Sequence, residues 1–378
     1  MKILYIAPIR LPTEKAHGIQ IMETCAALFR AGTEVELLVS DRATPIREDV
    51  FHFYNITDRF QVTRLHAPDT VSYGRMGYLF YVIIFGIRSA LYARRVSADV
   101  VYTRDPVTFF LCSIAGVRPL AWEVHTAHSG VPRAIIQRAL GIVPITRGLA
   151  KWYELRGVPA DSLHVAPDAV DLQSFSKVDP EIARADLRSR LAIPADGKIA
   201  LYVGSFGLYA WKGVDVARKA AEGAPEITWL FVGGSSEECT ALSRDTSPNV
   251  RTLPRVQRKD IPSLLSAADV LLLPNKSGDS ASERDTSPMK LFEYMGSSVP
   301  IVASDIPSLR EILDERTAFL VHPNEPEALA AGVRRALHNP AEASRRASAA
   351  RTAAESYTWD VRAKNLLAFL ERRIRQFT

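Results

Sequence analysis

Two successive series of short apolar runs, each alternating with helix-like stretches, constrain this chain more than any other feature of its sequence. The first series covers residues 2–7, 34–40, 61–65, 99–103, 120–124, 142–146 and 163–166. The second covers 199–204, 227–233, 250–253, 270–274, 300–303 and 318–321. Most are apolar on both faces and rich in Val, Ile and Leu, as parallel strands covered by helices on both sides must be. Between them, 19–31 carries Ile19, Met22, Cys25, Ala26 and Phe29 at helical spacing, and 326–338 follows a similar pattern. Two βα series in tandem predict an α/β chain of two Rossmann-like, doubly wound domains facing across a cleft.

The break falls after 167–171 (PDAVD), where a polar stretch, 173–179, precedes the second series. The expected segments are 1–172, 173–357 and 358–378. In the last, Val361, Leu366, Leu367, Phe369, Leu370 and Ile374 make an apolar helix face with no strand after it. Such a helix must pack on an existing surface, and it is expected to return to the first domain. At roughly 150 residues per domain, 378 residues allow two or three domains.

Composition narrows the class without naming a function. With 47% hydrophobic and 24% charged residues, wholesale disorder is excluded. Three scattered cysteines, Cys25, Cys112 and Cys239, form no CxxC pair, so neither a disulfide framework nor a zinc site is readable. A net charge of +5 is mild. Met1 and Lys2 run straight into a buried-strand pattern, so no signal peptide is expected and the cytoplasm is the default compartment. The longest apolar stretch, 76–87, reaches about 18 Å as a helix, short of the ~30 Å hydrocarbon core, so no membrane span is expected there.

Ligands of doubly wound sheets bind at the carboxyl ends of strands, beside helix N-termini. The strand-end loops hold no G-x-G-x-x-G, no P-loop, no Asp-x-Asp and no metal-spaced cluster, so any phosphate must be held by cations and backbone N–H groups. Gly18 stands at a helix start, where an anion could approach bare amides. His125 follows a buried strand, with Glu123 on the same strand face to orient it and His128 as a competitor. Gly204 and Ser205 end the first strand of the second series, and Lys212 and Gly213 sit where its next helix should begin. A lysine there opposes the helix dipole, which a neighbouring diphosphate would reverse. The segment 285–293 is the most informative. Thr286 or Ser287 can cap a helix that Pro288 begins, with Lys290 again of the wrong sign in the first turn. Glu293 lies among Leu291, Phe292 and Met295, where a carboxylate needs partners, and Asp285 precedes it with seven residues between.

In order, KAHGIQIM (15–22), WEVH (122–125), VAPDAVDLQSF (165–175), LYVGS and WKGVD within 201–215, ADVLLLPN (268–275) and SPMKLFEYMGSSVPIVASDIPSLREIL (287–313) span almost the whole chain. Together they resemble the family 4 glycosyltransferases, retaining enzymes of the GT-B fold that use nucleotide-activated sugars, and in particular the bacterial branch that builds cell-surface polysaccharides and glycolipids. The resemblance implies that Gly18 offers a backbone contact near the diphosphate or sugar, His125 contacts the donor sugar and Lys212 neutralises the diphosphate. It implies that Asp285 contacts sugar hydroxyls and Glu293 the ribose, with Gly204, Ser205, Ser287, Pro288, Met289, Lys290 and Leu291 lining the donor. The first acid of the family is usually Glu, and an arginine commonly follows the second-domain glycine; here Asp285 and Ser205-Phe206 stand in those places. Lys290 or Arg284 would then share the diphosphate with Lys212.

The implied donor is a UDP- or GDP-linked sugar, with no further cofactor and no metal, and the implied acceptor is a glycan or a lipid-linked molecule. No nucleic-acid partner is expected. Arg75, Arg88, Arg94, Arg95 and Arg104 give the Met76 region a basic flank, so its competing readings are a buried helix and a peripheral contact with the inner face of the cytoplasmic membrane. The rival functions are a GT-B nucleotide-sugar 2-epimerase and a non-catalytic sugar-nucleotide binder.

Overall fold

The computed structural model describes residues 1–207, 209–244 and 247–377. Leu208, inside the 201–215 motif, and Thr378, the end of the third expected segment, lie outside the described residues. The Val-, Ile- and Leu-rich runs become two six-stranded sheets. The first holds β1 (Lys2–Ala7), β2 (Glu34–Ser40), β3 (Gln61–Leu65), β4 (Val100–Thr103), β5 (Leu120–Val124) and β6 (Gly141–Pro144). The second holds β7 (Lys198–Val203), β8 (Ile227–Gly234), β9 (Val250–Pro254), β10 (Val270–Leu273), β11 (Ile301–Ser304) and β12 (Phe319–Val321). Every residue of β4, β5, β6, β10 and β11 is buried, as strands covered on both faces require.

All strand pairs are parallel, and the orders are β3-β2-β1-β4-β5-β6 and β12-β11-β10-β7-β8-β9. Each sheet therefore has the same doubly wound order when counted from its own first strand. Strand order reverses between β1 and β4 in one sheet and between β7 and β10 in the other, where ligands of such folds bind.

The chain divides into Met1–Asp168 with Trp359–Thr378, and Ala169–Thr358. The second unit begins at 169 rather than 173 because the Val170 amide donates to the Tyr357 carbonyl at 2.9 Å and Val170 bridges to Thr358. The C-terminal helix, Trp359–Phe377, joins the first unit. Phe369 covers Gly141 and stacks on His164 at 5.1 Å, and Arg373 Nε donates to the Leu140 carbonyl at 2.8 Å.

Two expectations are corrected. Residues 163–166 make only one bridge, Ile142 with Leu163. The amides of His164 and Ala166 donate to the carbonyls of Ile142 and Pro144, but Pro144 has no N–H to return. The apolar run at 76–87 belongs to a longer helix of 20 residues, Gly74–Ala93; with the turn before it, 71–93 is long and apolar enough to cross a membrane by length and composition alone, a test that a core helix also passes. The helix continues past Arg88, whose guanidinium reaches the His66 carbonyl at 2.8 Å. Its stripe of Tyr81, Val82, Phe85 and Ala90 lies in the core of the first unit, while Tyr73, Met76, Phe80, Ile87 and Leu91 are exposed.

Candidate functional site

In the first unit, the loop after β1 leads into the helix Ala16–Arg30. The Gly18 amide donates to the Lys15 carbonyl at 2.9 Å, so the expectation of a bare donor there is corrected. The glycine answers a packing demand instead. A Cβ at Gly18 would lie 2.4 Å from the Tyr54 hydroxyl. That hydroxyl is fixed by accepting from the Thr13 amide at 2.8 Å and donating to the Thr13 carbonyl at 2.7 Å.

At the end of β5, half-buried His125 donates from Nε2 to Glu123 Oε1 at 2.6 Å. Fully buried Glu123 also accepts from Gln20 Nε2 at 2.7 Å, Tyr102 Oη at 2.5 Å and Arg362 Nη2 at 2.8 Å. Arg104, after β4, donates from Nη1 to Gln20 Oε1 at 2.7 Å, so it belongs to this network rather than to the Met76 flank. Burial alone would raise the Glu123 carboxyl, but Arg362, His125 and Arg104 outweigh it and hold the group well below the usual carboxylate range. Burial, then the charge of Arg104, brings His125 down to about 4 against the pull of Glu123. The imidazole is therefore neutral near neutral pH. An ionised carboxylate only accepts, so the proton sits on Nε2 and Nδ1 is left as a hydrogen-bond acceptor. His128, the competitor, stands with its ring 5.5 Å from Trp122 and bonds Thr126 at 3.0 Å.

In the second unit, Gly204 and Ser205 follow β7, and Lys212 ends a short helical turn, Ala210–Lys212. Gly213 takes φ 70°, and a Cβ there would lie 1.7 Å from the Pro274 carbonyl oxygen. The loop after β7 is thereby pressed against the residue after β10, at the switch point of this sheet. Lys212 Nζ donates to Ser205 Oγ at 2.7 Å and lies 4.9 Å from the centre of the Tyr209 ring. Burial lowers its ammonium from the usual value, with Glu238 pulling the other way.

Past a short helix, Ser280–Glu283, the second helix after β10 is Met289–Gly296, and its N-cap is Pro288, with no side-chain cap. The expected capping by Thr286 or Ser287 is thus corrected: the helix begins one residue later, because Pro288 is extended. Leu291 is also corrected as a ligand contact. Its side chain is buried in the core and its amide donates to the Pro288 carbonyl at 2.9 Å. Met289 and Lys290 are the first two helical residues, where amides lack intrahelical acceptors. Lys290 Nζ is enclosed, 3.9 Å from the centre of the Tyr202 ring.

Both acids have protein partners that the sequence reading did not supply. Arg284 grips Asp285 with two bonds, Nε to Oδ1 at 2.6 Å and Nη2 to Oδ2 at 3.1 Å. Arg258 Nη1 donates to Glu293 Oε1 at 2.8 Å. Arg258 sits in a polar stretch whose composition gives no sign of this pairing. Among the described residues, no group of three His, Cys, Asp or Glu side chains is placed to hold a metal ion.

Two family models match the chain, Glycosyltransferase Family 4 over residues 18–174 and Glycosyl transferases group 1 over residues 183–353. A D-inositol 3-phosphate glycosyltransferase of Xylanimonas cellulosilytica is 32% identical over 225 residues, 56% of this chain and 52% of the relative. A phosphatidyl-myo-inositol mannosyltransferase of Mycobacterium tuberculosis is 26% identical over 256 residues, 65% of this chain and 63% of the relative. The chain thus spans between half and two thirds of the length of these two relatives. Among solved structures, Anabaena HepE (Alr3699) in complex with UDP aligns with a TM-score of 0.74 at 17% identity, over 98% of this chain and 100% of that one.

Proposed function

We propose that this chain, which belongs to the family 4 glycosyltransferases of the GT-B fold, moves a sugar with retention from a UDP- or GDP-linked donor to a lipid-linked or glycan acceptor, without a metal. One observation carries the reading. Two lysines, half-buried Lys212 and Lys290 with its enclosed amine, follow β7 and β10, the two strands between which the second sheet reverses its order. Cations there suit the diphosphate of a nucleotide. Glu293, one turn further along the Lys290 helix, takes the ribose hydroxyls while Arg258 holds its carboxylate, and Asp285 takes sugar hydroxyls. His125 offers Nδ1 to a sugar hydroxyl.

Reaction follows by front-side attack, the leaving diphosphate accepting the proton of the acceptor hydroxyl. Negative charge grows on that diphosphate as the bond to the sugar breaks. Lys212 and the first-turn amides of the 289–296 helix stabilise it without having to reorganise.

The names of the relatives support an inositol- or lipid-type acceptor. The 74–93 helix supports a peripheral contact with the anionic inner face of the cytoplasmic membrane. It exposes Met76, Phe80, Ile87 and Leu91, and exposes Arg75, Arg88, Arg94 and Arg95 beside them, with no acidic residue from 71 to 96. The comparisons give the epimerase reading no support. Thermal shift with a panel of UDP- and GDP-sugars tests the donor assignment. Stabilisation by at least one nucleotide class is expected, and no shift with any member would overturn it.

A further inference from the structure

Lys290 is the second residue of the 289–296 helix, and its amine is placed where an ammonium is least welcome. The Nζ atom is fully enclosed and has no hydrogen-bond partner among the described residues. The face of Tyr202 lies against it at 3.9 Å, which compensates only part of the hydration lost. The charged group that acts on it is another cation, Lys212. Nearby acids are directed elsewhere: Glu293 to Arg258, Asp285 to Arg284, while Glu238 acts on Lys212. The Tyr202 hydroxyl is directed at the Ser205 carbonyl at 3.3 Å, and the Tyr294 hydroxyl accepts the Val203 amide at 2.9 Å. An incoming anion would offer Lys290 the acceptor that its described neighbours do not.

We propose that Lys290 completes, with Lys212, a two-lysine seat for the diphosphate of a nucleotide, and that Lys290 takes a proton from solvent as the diphosphate enters. The inference rests on the donor reading above and adds to it a residue role and a linked protonation. Burial, reinforced by Lys212, depresses the Lys290 ammonium well below the usual lysine range, so without a neighbouring anion it gives up its proton more readily than a free lysine does. An arriving diphosphate reverses the balance. The nitrogen lone pair takes H+ from buffer, one N–H bond forms, and the new ammonium donates to phosphate oxygen. By linkage, nucleotide affinity then falls as pH rises, because the bound state holds the extra proton.

Isothermal titration calorimetry of the full chain with UDP, GDP and inorganic pyrophosphate, in buffers of different ionisation enthalpy from neutral to alkaline pH, tests this. The wild-type chain is expected to take up a proton, up to about one per ligand. Lys290→Met should fold, as an uncharged chain of similar length, but bind at least about tenfold more weakly and take up no proton. Lys290→Arg, which is always charged, should bind with no uptake. Circular dichroism checks that both variants fold. Uptake unchanged in folded Lys290→Met, or UDP or GDP binding by the wild-type chain with no uptake, overturns the inference and leaves the donor reading standing. Pyrophosphate binding with uptake, but no nucleotide binding, supports the seat and removes the donor reading. Failure of all three ligands to bind overturns both.

Discussion

The guanidinium of Arg362 donates from Nη2 to Glu123 Oε2 at 2.8 Å, both side chains being almost wholly buried. The C-terminal helix thereby supplies the counter-charge of the carboxylate that fixes His125. Removing one partner of a buried pair strands the other. Arg362→Ala should therefore destabilise the first unit by about 3 kcal/mol or more, read by denaturant unfolding. Arg362→Met combined with Glu123→Gln should recover much of that loss, since neither buried charge then remains. Equal stability of Arg362→Ala and the wild-type chain would sink the assignment.

Acid sensitivity follows from three histidines of the first unit. His17, His125 and His164 are each lowered from 6.5 to about 4, chiefly by burial. The unfolded chain therefore binds more protons than the folded one between these values, so stability falls as pH drops from about 6.5 to about 4. Glu123, depressed in the fold, adds to the loss at the acid end. The pH dependence of Tm should show this slope, and replacing the three histidines with Gln should flatten it. An unchanged slope in that variant would contradict the assignment.

On the catalytic side, Lys212→Ala and Glu293→Ala are each expected to lower sugar transfer by at least about tenfold, an effect of about 1.4 kcal/mol or more. Arg258→Ala should act in the same direction as Glu293→Ala, since it frees the carboxylate it now holds at 2.8 Å. Steady-state rates with saturating acceptor are the measurement. Near-wild-type transfer by both Lys212→Ala and Glu293→Ala would remove them from the site.

The exposed face of the 74–93 helix predicts binding to anionic vesicles. Co-flotation with liposomes containing acidic phospholipid is expected for the wild-type chain and should weaken with salt. Met76→Ser combined with Phe80→Ser and Ile87→Ser should leave the protein in the soluble fraction. Wild-type protein that stays soluble with such liposomes at low salt would count against the membrane contact.

The strands were readable because a doubly covered strand writes its burial as a continuous apolar run, and β2, β3 and β5 begin and end where those runs do. The wrong-signed charges of Lys212 and Lys290 were also visible, since helix starts can be found from local sequence. Partners were not. Arg362 and Glu123 are 239 positions apart, and Arg258 is 35 from Glu293, distances at which no periodicity links two residues. Gly18 misled because a glycine needed for close packing against Tyr54 looks the same in sequence as one that bares an amide. The 74–93 helix was cut short because Arg88 ends the apolar run without ending the helix.

Release of nucleoside diphosphate, measured with and without acceptor, decides whether the chain transfers sugar. UDP- and GDP-sugars would be supplied with inositol phosphate, phosphatidylinositol or lipid-linked glycan, in the presence of a chelator. Nucleoside diphosphate release that depends on acceptor and is matched by a glycosylated product is expected. Release that is the same without any acceptor, or no release from any donor–acceptor pair, would contradict it.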